Sequence, residues 1–505
     1  MTADYERIRE ENIARYGWDT AVLDLLGHLY SERTHFIFEL IQNAEDAGAT
    51  SLSFALFADR LEVRHDGRPF TEADVRAICG VARSDKAGDL TQIGQFGIGF
   101  KAVYAYTRSP RVYSEGESFR IERYVRPFAI DPVPGPGTLF AFPFDLDTVP
   151  PALAHAEIDA ALAALRPATL LFLRNITTLT AGRTTISRAV EGGRVRLSRL
   201  SRLSQNEEWL VHQRTVHGAQ GRTVAIAFRL DPVSGAIVPS REPLFVFLPT
   251  QKETFLGFAM HGPYRTTPAR DNIGEHDPGN ERLAAQTAAL LIDALRSLRD
   301  DGLLTSSVLG ALPLDPSRFA PGTVFRPLYE AVRDGLRTDP LIPLVPGSSV
   351  RHGTAGQVML AADPALPALL SPGQLGALYG TSGPRYFADI DDAPVRQYLR
   401  DELDVPEVTA SDLLRGGTGG FLAAQPDEWI ARLYAFLHGD PALWRQPSGP
   451  VSSTPLIRLE DGTHVTPFTP AVRPAAYLPG VTATGFPVVR RAIADDPDAH
   501  RFLVA

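Results

Sequence analysis

The stretch "IGQFGIGFKAVYAY", Ile93 to Tyr106, constrains this chain more than any other. Gly94, Gly97 and Gly99 crowd one turn immediately ahead of a segment that reads as a helix. Glycine lets a backbone approach a ligand closely and adopt positive φ. Set before a helix, such a turn exposes N–H groups at the helix's positive end, which suits phosphate. Taken alone, the spacing G-x-x-G-x-G serves equally as a tight turn that needs glycine for packing.

Three further signals accompany it. Upstream, in "FELIQNAEDAGA", Glu39 and Asn43 lie four apart and share a helix face. An amide oxygen there can ligate Mg²⁺, and the carboxylate can orient or deprotonate a water. An exposed polar pair on an amphipathic helix has the same spacing, but this pair sits among Phe36, Phe38, Leu40 and Ile41. In "VRHDGRPF" a strand ends at Asp66-Gly67, where a carboxylate can read an exocyclic amine. In "GPGTLFAFPF" Gly137-Thr138 opens a strand, and the threonine hydroxyl could support the same base.

The order of elements is a mixture of helices and strands without regular alternation, so α+β fits better than a doubly wound sheet. Residues 1–50 read as helix, "SLSFALFADRLEVRHDG" as two strands, and "TEADVRAICGVA" as a helix that Thr71 caps together with Asp74. "FRIERYVRPFAI" and "GTLFAFPFD" read as strands, and "EIDAALAALRPATLLFL" as a helix with a proline break. From Thr177 a strand meander follows, with "EPLFVFLPT" as one more strand and "NERLAAQTAALLIDALRSLRDDG" as an amphipathic helix, its Leu283 to Leu298 face being core or a dimer surface. After Leu303 the chain is proline-rich. There "PLIPLVPGSSV" and "PLIRLEDGTHV" echo each other, each behind a helical stretch, which suggests two copies of a helix-plus-hairpin unit. "RGGTGG", Arg415 to Gly420, reads as a loop between them.

The formal net charge is −9 and no long basic run occurs, which argues against a nucleic-acid surface, because phosphate binding needs clustered Lys and Arg. The single cysteine, Cys79, excludes an intrachain disulfide framework, fits a reducing compartment and, with dispersed His, builds no zinc site. No apolar stretch reaches the roughly 18 residues of a membrane span. The N-terminal "MTADYERIREEN" has no apolar signal core, so a cytoplasmic protein is expected.

The four signals, in this order, resemble the GHKL ATP-binding (Bergerat) fold of heat-shock chaperones, DNA gyrase, MutL proteins and sensor histidine kinases. "IGQFGIGF" looks most like the chaperone form of the glycine motif. "ELIQNAEDA", "PFTEADVRAI" and "IGQFGIGFKAVYAYT" together look closer still to the sacsin and plant NO VEIN branch. The resemblance is strong over residues 10–180 and reaches weakly to residue 300 through "FVFLPTQKETFLGFAMHGPYRTTPARDNI". It implies a GHKL ATP-binding α/β sandwich over residues 1–180, a middle α+β domain over 181–302 contributing a loop that senses the γ-phosphate, and a C-terminal mixed region over 303–505.

By that resemblance Glu39 matches the catalytic glutamate that activates water, and Asn43 the asparagine that holds Mg²⁺ against the phosphates. Asp46 matches a pocket residue of the same helix. Gly94, Gly97, Ile98 and Gly99 match the phosphate loop, with Phe100 and Lys101 beginning the helix behind it. Thr138 matches the threonine near adenine. Gly80 to Ile93 matches the mobile lid, where Ser84 and Lys86 could reach phosphate. Arg270 in "TTPARDNI" is the first candidate for a γ-phosphate contact, Arg265 the second and Lys252 the third. One departure concerns the adenine motif, Asp-x-Gly-x-Gly in the wider family. Aligning the glycine of His65-Asp66-Gly67-Arg68-Pro69 puts His65 where the aspartate belongs, Pro69 in place of the second glycine, and Asp66 one residue off. Asp66 is the expected base reader.

These assignments imply a Mg²⁺-dependent ATPase that works slowly as a chaperone-like conformational clamp on a protein client or partner. The alternative is a nucleotide-binding scaffold without hydrolysis, or a regulatory or defence module. A sensor kinase is not supported, because no dimerising hairpin with an acceptor His precedes the motifs.

Overall fold

Helix α1 (Tyr5–Tyr16) is capped by Asp4, whose carboxylate accepts from the Arg7 amide at 3.0 Å. Tyr5 and Ile8 are its buried residues. The computed structural model describes all residues except 1–2, 18–32, 81–98, 202–203, 217–222, 268–269, 348–349, 417–419, 445–448, 472 and 481–484. The chain divides into two compact units, Met1–Ala294 with Ala311–Val332, and Leu295–Gly310 with Arg333–Ala505. Among the described residues no helix is long and apolar enough to cross a membrane.

The first unit is a mixed α+β body on one large sheet. The strands are β1 (Ser51–Leu56), β2 (Arg60–His65), β3 (Arg111–Ser114), β4 (Glu117–Glu122), β5 (Arg126–Ala129), β6 (Thr138–Pro143), β7 (Thr178–Ala181), β8 (Thr184–Glu191), β9 (Arg194–Leu200), β10 (Gln205–Thr215), β11 (Thr223–Leu230), β12 (Ile237–Val238), β13 (Pro243–Val246), β14 (Leu248–Glu253) and β15 (Ala259–His261). Their spatial order is β14-β13-β15-β11-β10-β9-β8-β7-β1-β2-β6-β3-β4-β5, with β12 beside β11. β1 pairs with β7, and β13 with β15, in parallel; the other ladders are antiparallel. Residue 180, the boundary expected between the first two domains, lies within β7 of this sheet.

The sheet takes this form because alternate residues are apolar. β1 buries Leu52 and Phe54, and β2 buries Leu61, Val63 and His65, so both present one face to the core. β6 is buried from Thr138 through Phe142, as expected of a strand covered on both faces. Helix α2 (Phe36–Asp46) lies against it, with Phe36 packing edge-on against Tyr106 and Phe142 at centroid distances of 5.5 and 6.3 Å. Helix α3 (Glu72–Ile78) starts at the capping box read from the sequence, Thr71 with Asp74. Helices α4 (Pro151–Ala163) and α5 (Pro278–Asp300) follow, α4 ending ahead of the proline at 167.

Three local readings are corrected. "FRIERYVRPFAI" is a hairpin, β4 and β5, turned at Arg123 and Tyr124 with φ of 46° and 66°. No glycine marks this turn. It is held by tertiary contacts: the Tyr124 ring lies 4.2 Å from that of Tyr104, and its carbonyl accepts from the Lys101 ammonium. "EPLFVFLPT" is also two strands, β13 and β14, turned at Phe247 with φ 62°, whose N–H donates to His261 Nδ1 at 3.1 Å. The segment behind the glycines, Gly99–Ala105, is a 3₁₀ helix rather than an α-helix.

In the second unit Ile342–Pro343 pairs with His352–Gly353, and Ile457–Arg458 with His464–Val465, both antiparallel. Each comes after a helix in sequence, Arg326–Thr338 and Asp427–His438. The core of this unit gathers on the second of these helices, where Trp429 Nε1 donates to the Leu369 carbonyl and Tyr434 Oη to the Leu456 carbonyl, both at 2.7 Å. Of the Arg415 to Gly420 loop, residues 417–419 lie outside the described residues.

Candidate functional site

The apolar stripe of α2, Phe36, Ile37, Leu40, Ile41 and Ala44, is buried, and this fixes where its polar residues point. Glu39 is 9% exposed, Asn43 one turn on is half-buried, and Asp46 is exposed. All three line one cavity of about 190 Å³. The end of β2 adds His65, the next loop adds Arg68 and Phe70, α3 adds Asp74, and Gly99, Phe100 and Phe140 complete the described wall.

Glu39 and Gly99 are matched at close range. A Cβ placed on Gly99 would stand 1.8 Å from Glu39 Oε2 and 2.5 Å from its Cδ, so only glycine leaves room for this carboxylate. His35 Nε2 lies 3.5 Å from the other carboxylate oxygen, one helical turn earlier. The acid-amide pair and the last glycine of the motif thus meet in the same cavity. Gly94, Gly97, Ile98, Ser84 and Lys86 lie outside the described residues.

Asp66 and His65 part ways. The Asp66 carboxylate accepts from the Thr50 and Ser51 amides at 2.8 and 2.9 Å and from the Thr50 hydroxyl at 2.6 Å, and it does not line the cavity. Burial alone would raise its pKa, but these bonds hold it below the usual carboxylate range. His65 is on the cavity wall, 4% exposed, its ring 6.0 Å from Phe140. Burial pushes its pKa down to about 4, with Asp66 opposing. Gly67 packs so closely on the C-terminus of α2 that a Cβ would meet the Ala47 carbonyl at 2.8 Å. Gly137 has φ 71°, and a Cβ there would meet the His65 carbonyl at 2.2 Å.

Arg68 and Asp74 form a two-pronged pair at 2.6 and 2.8 Å. Burial works to raise the Asp74 carboxyl, but Arg68 and Thr71 overcome it and hold its pKa at about 2. Thr138 is fully buried opposite His65 on the β2–β6 ladder, its hydroxyl 2.8 Å from that of Ser114. Lys101 is also fully buried. Its ammonium donates to the Ile78 carbonyl at 2.6 Å and to that of Tyr124, and burial lowers its pKa to about 8. Neither Thr138 nor Lys101 lines the cavity. Phe100 does, its ring 5.9 Å from Phe140.

The three candidate cations lie elsewhere. Arg270, in a left-handed conformation with φ 56°, is 7% exposed and donates to Gln42 Oε1 at 2.8 Å and to the Val246 carbonyl at 2.6 Å. It therefore reaches α2, but lines a second cavity with His35, Phe38 and Gln251. Arg265 pairs with Asp277 at 3.2 Å, and Lys252 with Glu275 at 3.8 Å. Among the described residues no group of three or more His, Cys, Asp or Glu is placed to hold a metal ion; the half-buried Asn43 amide beside a buried carboxylate fits a cation shared with a bound anion.

Sequence reading missed Gln42, His35, Arg68, Asp74 and Glu45 as parts of this region. Glu45 sits inside the quoted "ELIQNAEDA" and is 3% exposed. Its carboxylate accepts from the amides of Arg174, Asn175 and Ile176 at 2.6, 2.9 and 2.9 Å, tying the end of α2 to the chain entering β7. Glu45→Ala leaves these amides without their acceptor and is expected to lower unfolding stability by about 3 kcal/mol, measured by urea denaturation.

The Sacsin domain family model matches residues 61–122. Protein NO VEIN of Arabidopsis thaliana is 28% identical over 318 residues, which is 53% of this chain and 11% of NO VEIN. Sacsin of Homo sapiens is 33% identical over 102 residues, 17% of this chain and 2% of sacsin. The chain therefore spans a small fraction of either relative. A crystal structure of the N-terminal domain of a DNA repair protein aligns with 49% of this chain and 90% of that domain, with a TM-score of 0.33 and 11% identity. The chain is similar to the sacsin and NO VEIN branch, and its Sacsin-domain match falls on the segment that brings His65, Arg68, Phe70 and Asp74 to the cavity.

Proposed function

We propose that this chain binds a magnesium nucleoside triphosphate, ATP by its family resemblance, in the cavity beside α2 and hydrolyses it slowly as a conformational clamp on a protein client or partner. The observation that carries the reading is the buried Glu39 carboxylate seated against Gly99, with Asn43 one turn further along the same wall. Similarity to sacsin and NO VEIN supports it. The presence of one buried cysteine and no disulfide framework fits a cytoplasmic setting.

Bound Mg²⁺ would neutralise charge on the phosphate oxygens. In this reading the Asn43 amide oxygen would hold it, Glu39 would orient the attacking water and take its proton, and Gly99, lacking a side chain, would leave the carboxylate its place. Positioning and charge neutralisation are most of what phosphoryl transfer to water needs. Isothermal titration calorimetry with Mg·ADP and Mg·ATP, beside phosphate release by the purified protein, tests this. Saturable binding that weakens in Asn43→Ala is the expected result; no binding of any nucleotide ends the proposal.

A scaffold that holds nucleotide without hydrolysing it is the second reading. It is favoured by the engagement of Arg270 with Gln42 and the Val246 carbonyl, away from the cavity that Glu39 lines. Arg270→Ala separates the two. In the clamp it lowers turnover by at least about tenfold with nucleotide affinity kept; in the scaffold both wild type and variant bind and neither turns over.

A further inference from the structure

His65, which lines the cavity, is a histidine whose proton can be assigned. The Gly67 amide donates to His65 Nδ1 at 3.1 Å. An amide N–H can only donate, so Nδ1 accepts, and a neutral imidazole must then carry its single proton on Nε2. The ring is 96% buried, and burial keeps it neutral at physiological pH. Its remaining polar atom, Nε2, is then a donor on a residue that lines the cavity, and it is bonded to none of the described residues.

The surroundings suit a flat base. Phe70 and Phe140 stand on the same wall with ring centroids 5.9 Å apart at 72°, and His65 lies 6.0 Å from Phe140. Two carboxylates that follow His65 in the chain are engaged. Asp66 is held by Thr50 and Ser51, while Asp74 takes both prongs of Arg68 and the Thr71 amide and hydroxyl. Glu39 and Asp46 also line the cavity, on α2, so a comparison of bases tests which group reads carbon 6.

We propose that His65 sets the base preference of this cavity, and that its Nε2–H favours a purine presenting an oxygen acceptor at carbon 6 over one presenting an amine. The inference rests on the nucleotide-binding reading and departs from it only in the base. A 6-oxo group accepts the Nε2 proton; a 6-amino group sets donor against donor and leaves both unpaired.

Inosine and adenosine diphosphates differ at this edge and are not consumed by hydrolysis. Calorimetry of the full chain with Mg·IDP and Mg·ADP at pH 7.5 is expected to show IDP bound at least about tenfold more tightly. His65→Asp, which replaces the donor with an acceptor, should reverse the order, and His65→Ala should bring the ratio close to one. Nitrogen-15 NMR of the imidazole in the ligand-free wild type should show Nε2 protonated and Nδ1 bare. Tighter binding of ADP by the wild type, or a proton on Nδ1, overturns the proposal while leaving nucleotide binding intact. Failure of both diphosphates to bind removes the nucleotide reading itself.

Discussion

Replacing Glu39 with glutamine is expected to slow triphosphate hydrolysis by about 10²–10⁴-fold while nucleotide affinity changes little. Glutamine has the same shape, so it keeps the packing against Gly99 and the neighbourhood of His35. What it loses is the ability to take a proton from water. The measurement is single-turnover phosphate release beside calorimetric affinity. Unchanged turnover in the variant would remove Glu39 from the chemistry. Tight binding without turnover in the wild type would instead favour the scaffold reading.

Gly99→Ala is the second large effect. Its new Cβ would lie 1.8 Å from Glu39 Oε2, 2.5 Å from Cδ and 3.2 Å from Cγ, so the carboxylate has to leave its place. Overpacking of this kind costs about 1–3 kcal/mol in stability. On the proposed function, turnover should fall about as far as in Glu39→Gln, because the displaced carboxylate could no longer take a proton from the attacking water. A double-mutant cycle identifies the cause. In a Glu39→Ala background the clashing atoms are gone, and the stability penalty of Gly99→Ala should largely disappear. An undiminished penalty would mean that the alanine is resisted by something other than Glu39.

Much of the fold was legible along the chain. The capping box at Thr71 and Asp74 is local, since both partners lie within one helical turn, and it appears where the sequence put it. The alternation of β1 and β2 and the apolar stripe of α2 are likewise properties of neighbouring residues. The meander from β8 to β11 follows for the same reason. The turns at Arg123-Tyr124 and Phe247 were not legible. A left-handed residue without glycine is costly alone, and here it is held by distant partners: Tyr104 and Lys101 in one case, His261 in the other.

The sequence by itself determined that an acid and an amide share one helical face and that the body is a mixed helix and strand structure. These depend on spacing, and spacing is written in the chain. Only tertiary structure decided that Glu39 rests on Gly99, that Asp66 turns to Thr50 while His65 faces the cavity, and that Arg270 grips Gln42. The physical reason is the two-residue period of a strand. Adjacent residues at its end point to opposite sides, and which of them meets the cavity depends on how the sheet packs against α2.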